Sequence, residues 1–211
     1  MSAFNSECRA CPRLSAHLAG VREAHGDYHA RPVAPFGDER PKLLIVGLAP
    51  GMHGANRTGR PFTGDYAGIL LYETLHRHGY ANRTTSVALG DGLELERCRI
   101  TNAVKCLPPG NKPQPVEVRQ CNAYLAGELE ALPDDAVILA LGSIAHQAVL
   151  MALKLRRAEY VFAHGARHAL PDGRILFDSY HCSRYNTQTR RLTPEMFHQV
   201  FERIGEHLAS L

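Results

Sequence analysis

Four short apolar runs punctuate the chain, each too unbroken to alternate between a wet and a dry face. They are Lys42-Leu43-Leu44-Ile45-Val46-Gly47-Leu48, Arg99-Ile100-Thr101-Asn102-Ala103-Val104, Ala136-Val137-Ile138-Leu139-Ala140-Leu141 and Arg174-Ile175-Leu176-Phe177-Asp178. Runs of this kind read as strands buried on both faces, as in a parallel sheet. Between and after them, Gly68 to His78, Val116 to Ala131, Ile144 to Leu155 and Pro194 to Leu208 carry apolar residues at helical spacing, with Thr193-Pro194 a start signal for the last. The alternation predicts an α/β three-layer sandwich, a central, mainly parallel four-stranded sheet flanked by helices. The stretches Arg31 to Pro41 and Pro108 to Pro113 read as surface connections rather than linkers, so residues 1–211 are expected to form a single domain.

Composition narrows the class. A chain of 211 residues that is 45% hydrophobic can bury one substantial core. Its start lacks an apolar signal region and no apolar run approaches the roughly 20 residues a membrane-spanning helix needs, so an intracellular, cytoplasmic location is expected. In a reducing compartment, six cysteines point to metal ligands, catalytic groups or buried small side chains rather than disulfides. The net charge of +3 is mild, but its distribution is informative. Arg57 and Arg60 share an early loop, and Arg184, Arg190 and Arg191 a late one. These are places to expect phosphates, the other reading being a solvated face.

In open sheets of this type ligands bind beyond the carboxyl ends of the strands. Gly47-Leu48-Ala49-Pro50-Gly51, Asn102, Gly142-Ser143 and Tyr180-His181 all fall there. The loop from Gly47 to Asp65 is glycine-rich, which permits close approach of backbone to a ligand at positions such as Gly51. It has neither the order of a P-loop nor G-x-G-x-x-G. Cys8 and Cys11 form a C-x-x-C far from Cys106 and Cys121. Whatever four such thiolates hold must tie the N-terminal segment to the middle of the fold, and the spacing suits an iron–sulfur cluster or zinc equally.

Gly47-Leu48-Ala49-Pro50-Gly51 with Gly64-Asp65, Asn102-Ala103-Val104-Lys105-Cys106 with Pro108-Pro109-Gly110-Asn111-Lys112-Pro113, and Tyr180-His181-Cys182-Ser183 resemble the successive motifs of the iron–sulfur uracil-DNA glycosylases. The resemblance is to family 5, the type-B enzymes, and runs from Cys8 to about Thr193. It implies hydrolysis of the N-glycosidic bond of uracil, and of other deaminated or damaged bases, in DNA, with release of the base and an abasic site. The base must first be flipped out of the stack into a pocket.

What the resemblance implies for single residues follows the matched motifs. Phe62 would stack on the flipped base, Asn102 would read its edge, and Gly51 would line the pocket. His181 would hydrogen-bond the departing uracil O2. Asp65 would orient water or stabilise the cationic sugar, because Leu48 stands where other branches carry a polar residue. Asp65 is also a good N-cap for a helix starting near Ala67. Cys8, Cys11, Cys106 and Cys121 would ligate a structural four-iron four-sulfur cluster, with zinc as the alternative. Arg57, Arg184, Arg190 and Arg191 would approach phosphates, and Tyr185 or Asn186 would fill the gap left by the base. Cys182 replaces the proline usual at that position, and Cys98 is expected to be a small buried side chain. DNA is the only partner implied. A non-catalytic DNA-damage-binding module of the same fold is the competing reading, disfavoured by the joint presence of Phe62, Asp65, Asn102 and His181.

Overall fold

The structure is a computed structural model that describes residues 4–211. Its helices are α1 (Pro12–Ala24), α2 (Ala55–Thr58), α3 (Tyr66–Arg77), α4 (Pro115–Glu130), α5 (Ser143–Ala152), α6 (Arg184–Gln188) and α7 (Pro194–Ala209). The strands are β1 (Phe36–Gly37), β2 (Leu43–Gly47), β3 (Cys98–Asn102), β4 (Val137–Leu141), β5 (Arg167–Ala169) and β6 (Ile175–Ser179), in sheet order β1-β3-β2-β4-β6-β5. The four inner strands are parallel and coincide with the four apolar runs; β2, β4 and β6 are buried at every position.

The sheet has six strands rather than four, and it is mixed. β1 and β5 add antiparallel edges of two and three residues. Neither lies between two layers, so neither carries an apolar run that a sequence pattern could register.

Alternation along the strands sorts the core into two layers. Leu43, Ile45, Ile100, Val137, Leu139 and Phe177 pack with Leu71 and Leu75 of α3 and Phe197, Phe201 and Ile204 of α7. Leu44, Val46, Ile138, Ala140 and Leu176 face Leu125 of α4 and Ala148 and Val149 of α5 on the other side. Each such aliphatic contributes about 1.5–3 kcal/mol relative to exposure, and truncating one, as in Leu139→Ala, costs about 2–5 kcal/mol. No helix among the described residues is long and apolar enough to cross a membrane.

The chain leaves β2 toward β3 on one side and returns to β4 on the other. The order therefore reverses between β2 and β4, which is where such a sheet opens a crevice at its carboxyl edge.

Candidate active site and cysteine centre

A cavity of about 880 Å³ occupies that crevice, lined among others by Gly51, Phe62, Asp65, Asn102 and His181. Each reaches it by a different route. Asn102 is the last residue of β3 and Gly47, opposite it in register, the last of β2. A Cβ at Gly47 would collide with both Asn102 Oδ1 and the Phe62 ring, so glycine is what lets these two side chains meet over the strand end. Asn102 is 3% exposed, and its Oδ1 is buried without a hydrogen-bond partner. An orphaned acceptor lining a cavity is poised for an N–H donor.

Phe62, 6% exposed, sits in the left-handed region at φ 53°, a conformation that a bulky residue adopts only when its surroundings impose it. They do so here. Tyr72 Oη donates to the Pro61 carbonyl at 2.8 Å, and Arg60 Nε donates to Thr63 Oγ1 at 3.0 Å. Arg60 is buried and forms a bidentate pair with Asp91, at 2.9 and 2.6 Å, while its Nη2 also donates to Ser86 Oγ at 2.7 Å. Asp91 in turn accepts from the backbone N–H groups of Val87, Ala88 and Leu93. Arg60 is thus committed inside the protein, correcting the expectation that it meets phosphate. The hydrogen bonds from Arg60, with those backbone N–H groups, hold the carboxyl of Asp91 well below the usual carboxylate range although partial burial opposes this.

Asp65 is the N-cap of α3, its Oδ1 accepting from Gly68 N at 3.0 Å. Its Oδ2 leans on the Gly51 to Gly54 turn, where a Cβ at Gly54 would stand 2.5 Å away. Burial raises the Asp65 pKa above its ordinary value, and the N–H bonds from Gly68 and Ala67 offset only part of that. His181 stacks on Phe62, with centroids 5.7 Å apart and planes at 25°. Its Nδ1 is buried without a partner, and although an edge of the residue keeps some exposure, burial lowers its pKa to about 4. The imidazole is therefore neutral at physiological pH.

The rim is basic and aromatic. Arg184 and Tyr185, on α6, line the mouth, and Tyr185 is 71% exposed. Asn186 instead turns inward, donating from Nδ2 to the His181 carbonyl at 2.8 Å, so of the two residues proposed to fill a vacated base position only Tyr185 is available. Arg57 is exposed and donates to the His53 carbonyl at 3.0 Å; Arg190 is exposed, and Arg191 lies over the Tyr180 ring at 4.6 Å. Cys182 is buried, its thiol donating to the Ala67 carbonyl at 3.4 Å, and Cys98 is buried as expected.

Residues 34–205 match the profile of the Uracil DNA glycosylase superfamily. The chain is 50% identical to a type-5 uracil-DNA glycosylase of Thermus thermophilus over 92% of this chain and 90% of that protein. The chain belongs to the type-5 uracil-DNA glycosylases. Others of that family that it resembles come from Mycobacterium tuberculosis, at 45% identity over 95% of this chain and 78% of the relative, and from Pyrobaculum aerophilum, at 42% over 93% and 87%.

A second site of this uracil-DNA glycosylase lies at its N-terminal segment. Cys8, Cys11, Cys106 and Cys121 line one cavity of about 110 Å³. Burial, followed by the proximity of the other sulfurs, pushes Cys11 up to about 11 and Cys106 up to about 12. Thiols so crowded ionise together only around a cationic centre. The backbone N–H of Lys105 donates to Cys121 Sγ at 3.3 Å, the kind of bond that tunes cluster sulfurs. Four thiolates around one cavity suit an iron–sulfur cluster or zinc. Arg13 of α1 locks this region by a bidentate pair with Glu117 of α4, both bonds at 2.7 Å.

Sequence reasoning missed the Arg60–Asp91 pair and the hydrogen bond between Tyr28 Oη and His53 Nδ1 at 2.7 Å, which fixes a cavity-lining histidine. Neither pair has a spacing signature in the chain.

Proposed function

We propose that this chain, acting as a single domain, hydrolyses the N-glycosidic bond of uracil in DNA, leaving an abasic site. The observation that carries the reading is the convergence of an orphaned Asn102 Oδ1, a neutral His181, the Phe62 face and the Asp65 carboxylate in one cavity. The flipped base stacks on Phe62, worth about 1–3 kcal/mol. Asn102 Oδ1 accepts from the N3–H of uracil, whereas cytosine presents a bare acceptor there, so the site rejects cytosine by leaving two acceptors facing each other.

As the C1′–N1 bond lengthens, negative charge spreads onto the base and positive charge onto the sugar. His181 donates a hydrogen bond to the base O2; being neutral beforehand, it does not hold the charged product too tightly. Asp65 Oδ2, free of the helix cap, orients the water that attacks C1′ and stabilises the sugar cation by its charge. The base leaves with the bonding electrons, is reprotonated, and water supplies the new hydroxyl. Phe62, Gly51 and Asn102 bind; Asp65, His181 and Asn102 act on the reacting atoms.

The cysteines Cys8, Cys11, Cys106 and Cys121 hold a four-iron four-sulfur cluster in this reading. It would supply a cross-link between the N-terminal segment, the residues after β3 and helix α4, and no electron enters the hydrolysis. Arg57, Arg184, Arg190 and Arg191 meet the phosphates of the DNA, and Tyr185 occupies the vacated stack. The resemblance to the type-5 enzymes extends the range to other deaminated or damaged bases, inside the cell where genomic DNA lies. The test is release of free base from duplexes carrying uracil, hypoxanthine or ethenocytosine at low salt. Release of none of them from iron-loaded protein would defeat the enzymatic reading in favour of damage binding alone.

A further inference from the structure

On the opposite side of the sheet from Phe62, under α5, lies a second group of ligating side chains. Asp178 of β6 is fully buried, and its two carboxylate oxygens face two histidines: Oδ1 is 2.8 Å from His146 Nδ1 and Oδ2 is 3.0 Å from His168 Nε2. His146 comes from α5 and His168 from the edge strand β5. One donor atom from each residue lies within 4.8 Å of the other two. The free nitrogen of His146, Nε2, is 3.0 Å from the Tyr160 carbonyl.

We propose that His146, His168 and Asp178 form a binding site for one divalent transition-metal cation of the zinc class. Two imidazoles and a carboxylate are a donor set that such ions favour, with water completing the tetrahedron, whereas calcium and magnesium favour oxygen alone. The Tyr160 carbonyl can only accept, so it fixes the proton of His146 on Nε2. That leaves Nδ1 facing a carboxylate oxygen at 2.8 Å, a position filled by a second proton when the ring is cationic and by a metal ion when the ring is neutral. A backbone carbonyl behind a ligating histidine is the arrangement that holds such rings in metal sites. His168 is 13% exposed and gives the ion and its water a way in.

The site is independent of the cysteine centre and of the glycosylase reading. Its consequence runs toward the cavity all the same. It joins α5, β5 and β6 with the intervening segment, in which His164 Nδ1 accepts from the Tyr180 backbone N–H at 3.2 Å and its ring stacks on Tyr180 at 5.1 Å. Tyr180 precedes His181, so an ion here stiffens the base from which that imidazole projects.

The test is metal content and thermal unfolding of the iron-loaded full chain, stripped by a mild chelator and then exposed to zinc. Wild type should take up one zinc per chain with its iron unchanged and gain a higher unfolding midpoint. His168→Gln and Asp178→Asn should lose zinc affinity at least tenfold while keeping their iron. His168 is on a partly exposed edge strand, so its variant folds even where Asp178→Asn does not. No zinc uptake and no midpoint shift by wild type would overturn the proposal. So would zinc that persists in His168→Gln but disappears in Cys121→Ser.

Discussion

Phe62 and His181 lie ring against ring, with centroids 5.7 Å apart and planes 25° apart. A base inserted between them would need about 7 Å, two contacts of about 3.5 Å each, so it lies on the outer side of the pair or parts it. Either way the two rings respond to the base together. We expect Phe62→Leu and His181→Gln to be strongly non-additive in kcat/KM, with a coupling of about 0.5–3 kcal/mol in a double-mutant cycle. Additive losses would show that they act separately.

Asp65 caps α3 with Oδ1 and faces the cavity with Oδ2, and the two roles can be separated. Asparagine is as good an N-cap as aspartate but carries no charge. Asp65→Asn should leave the unfolding midpoint nearly unchanged while lowering kcat by about 100-fold or more, on the scale of losing one aimed electrostatic group. Asp65→Ala should lower both. Because burial raises the Asp65 pKa, wild-type kcat should fall as pH drops through that raised value, and single-turnover rates of Asp65→Asn should lack this acid limb.

His181 titrates at about 4 when folded against an ordinary 6.5. Between those values the unfolded chain binds the extra proton and the folded one does not, so stability is complete above pH 6.5 and declines as pH falls toward 4. The loss amounts to at most about 3 kcal/mol. Urea unfolding across this window should show the slope in wild type and a shallower one in His181→Gln.

The Arg60–Asp91 pair acts at a distance, holding Phe62 in its left-handed conformation. Asp91→Asn strands a buried guanidinium, a change that costs about 3–5 kcal/mol in stability. It should also raise KM for uracil-containing DNA. In a Phe62→Ala background the kinetic penalty should vanish while the loss of stability remains. If both penalties persist there, the pair is scaffold and not a positioner of the ring.

The parallel strands were legible because burial on both faces writes an unbroken apolar run, as at Val137 to Leu141. The edges β1 and β5 were not, since two or three residues with one neighbouring strand have no such constraint. Helix α1 left a faint trace in the spacing of Leu14, Leu18 and Val21, all buried, behind Pro12. In the site, Phe62, Asp65, Asn102 and His181 stood in motif loops at strand ends, where topology alone brings them together. Asp91 was invisible because its partner lies 31 positions away in a loop without periodicity. His146, His168 and Asp178 meet only through sheet pairing and the seat of α5, relations a linear pattern does not encode.

Asp65 belongs at once to the first turn of α3 and to the cavity, and the terminal turns of helices are the first to fray on warming. Each excursion that loosens this turn also swings the carboxylate away from the sugar. Heat should therefore silence the protein before it melts it, with turnover failing reversibly at temperatures where the sheet and both of its helical layers are still intact.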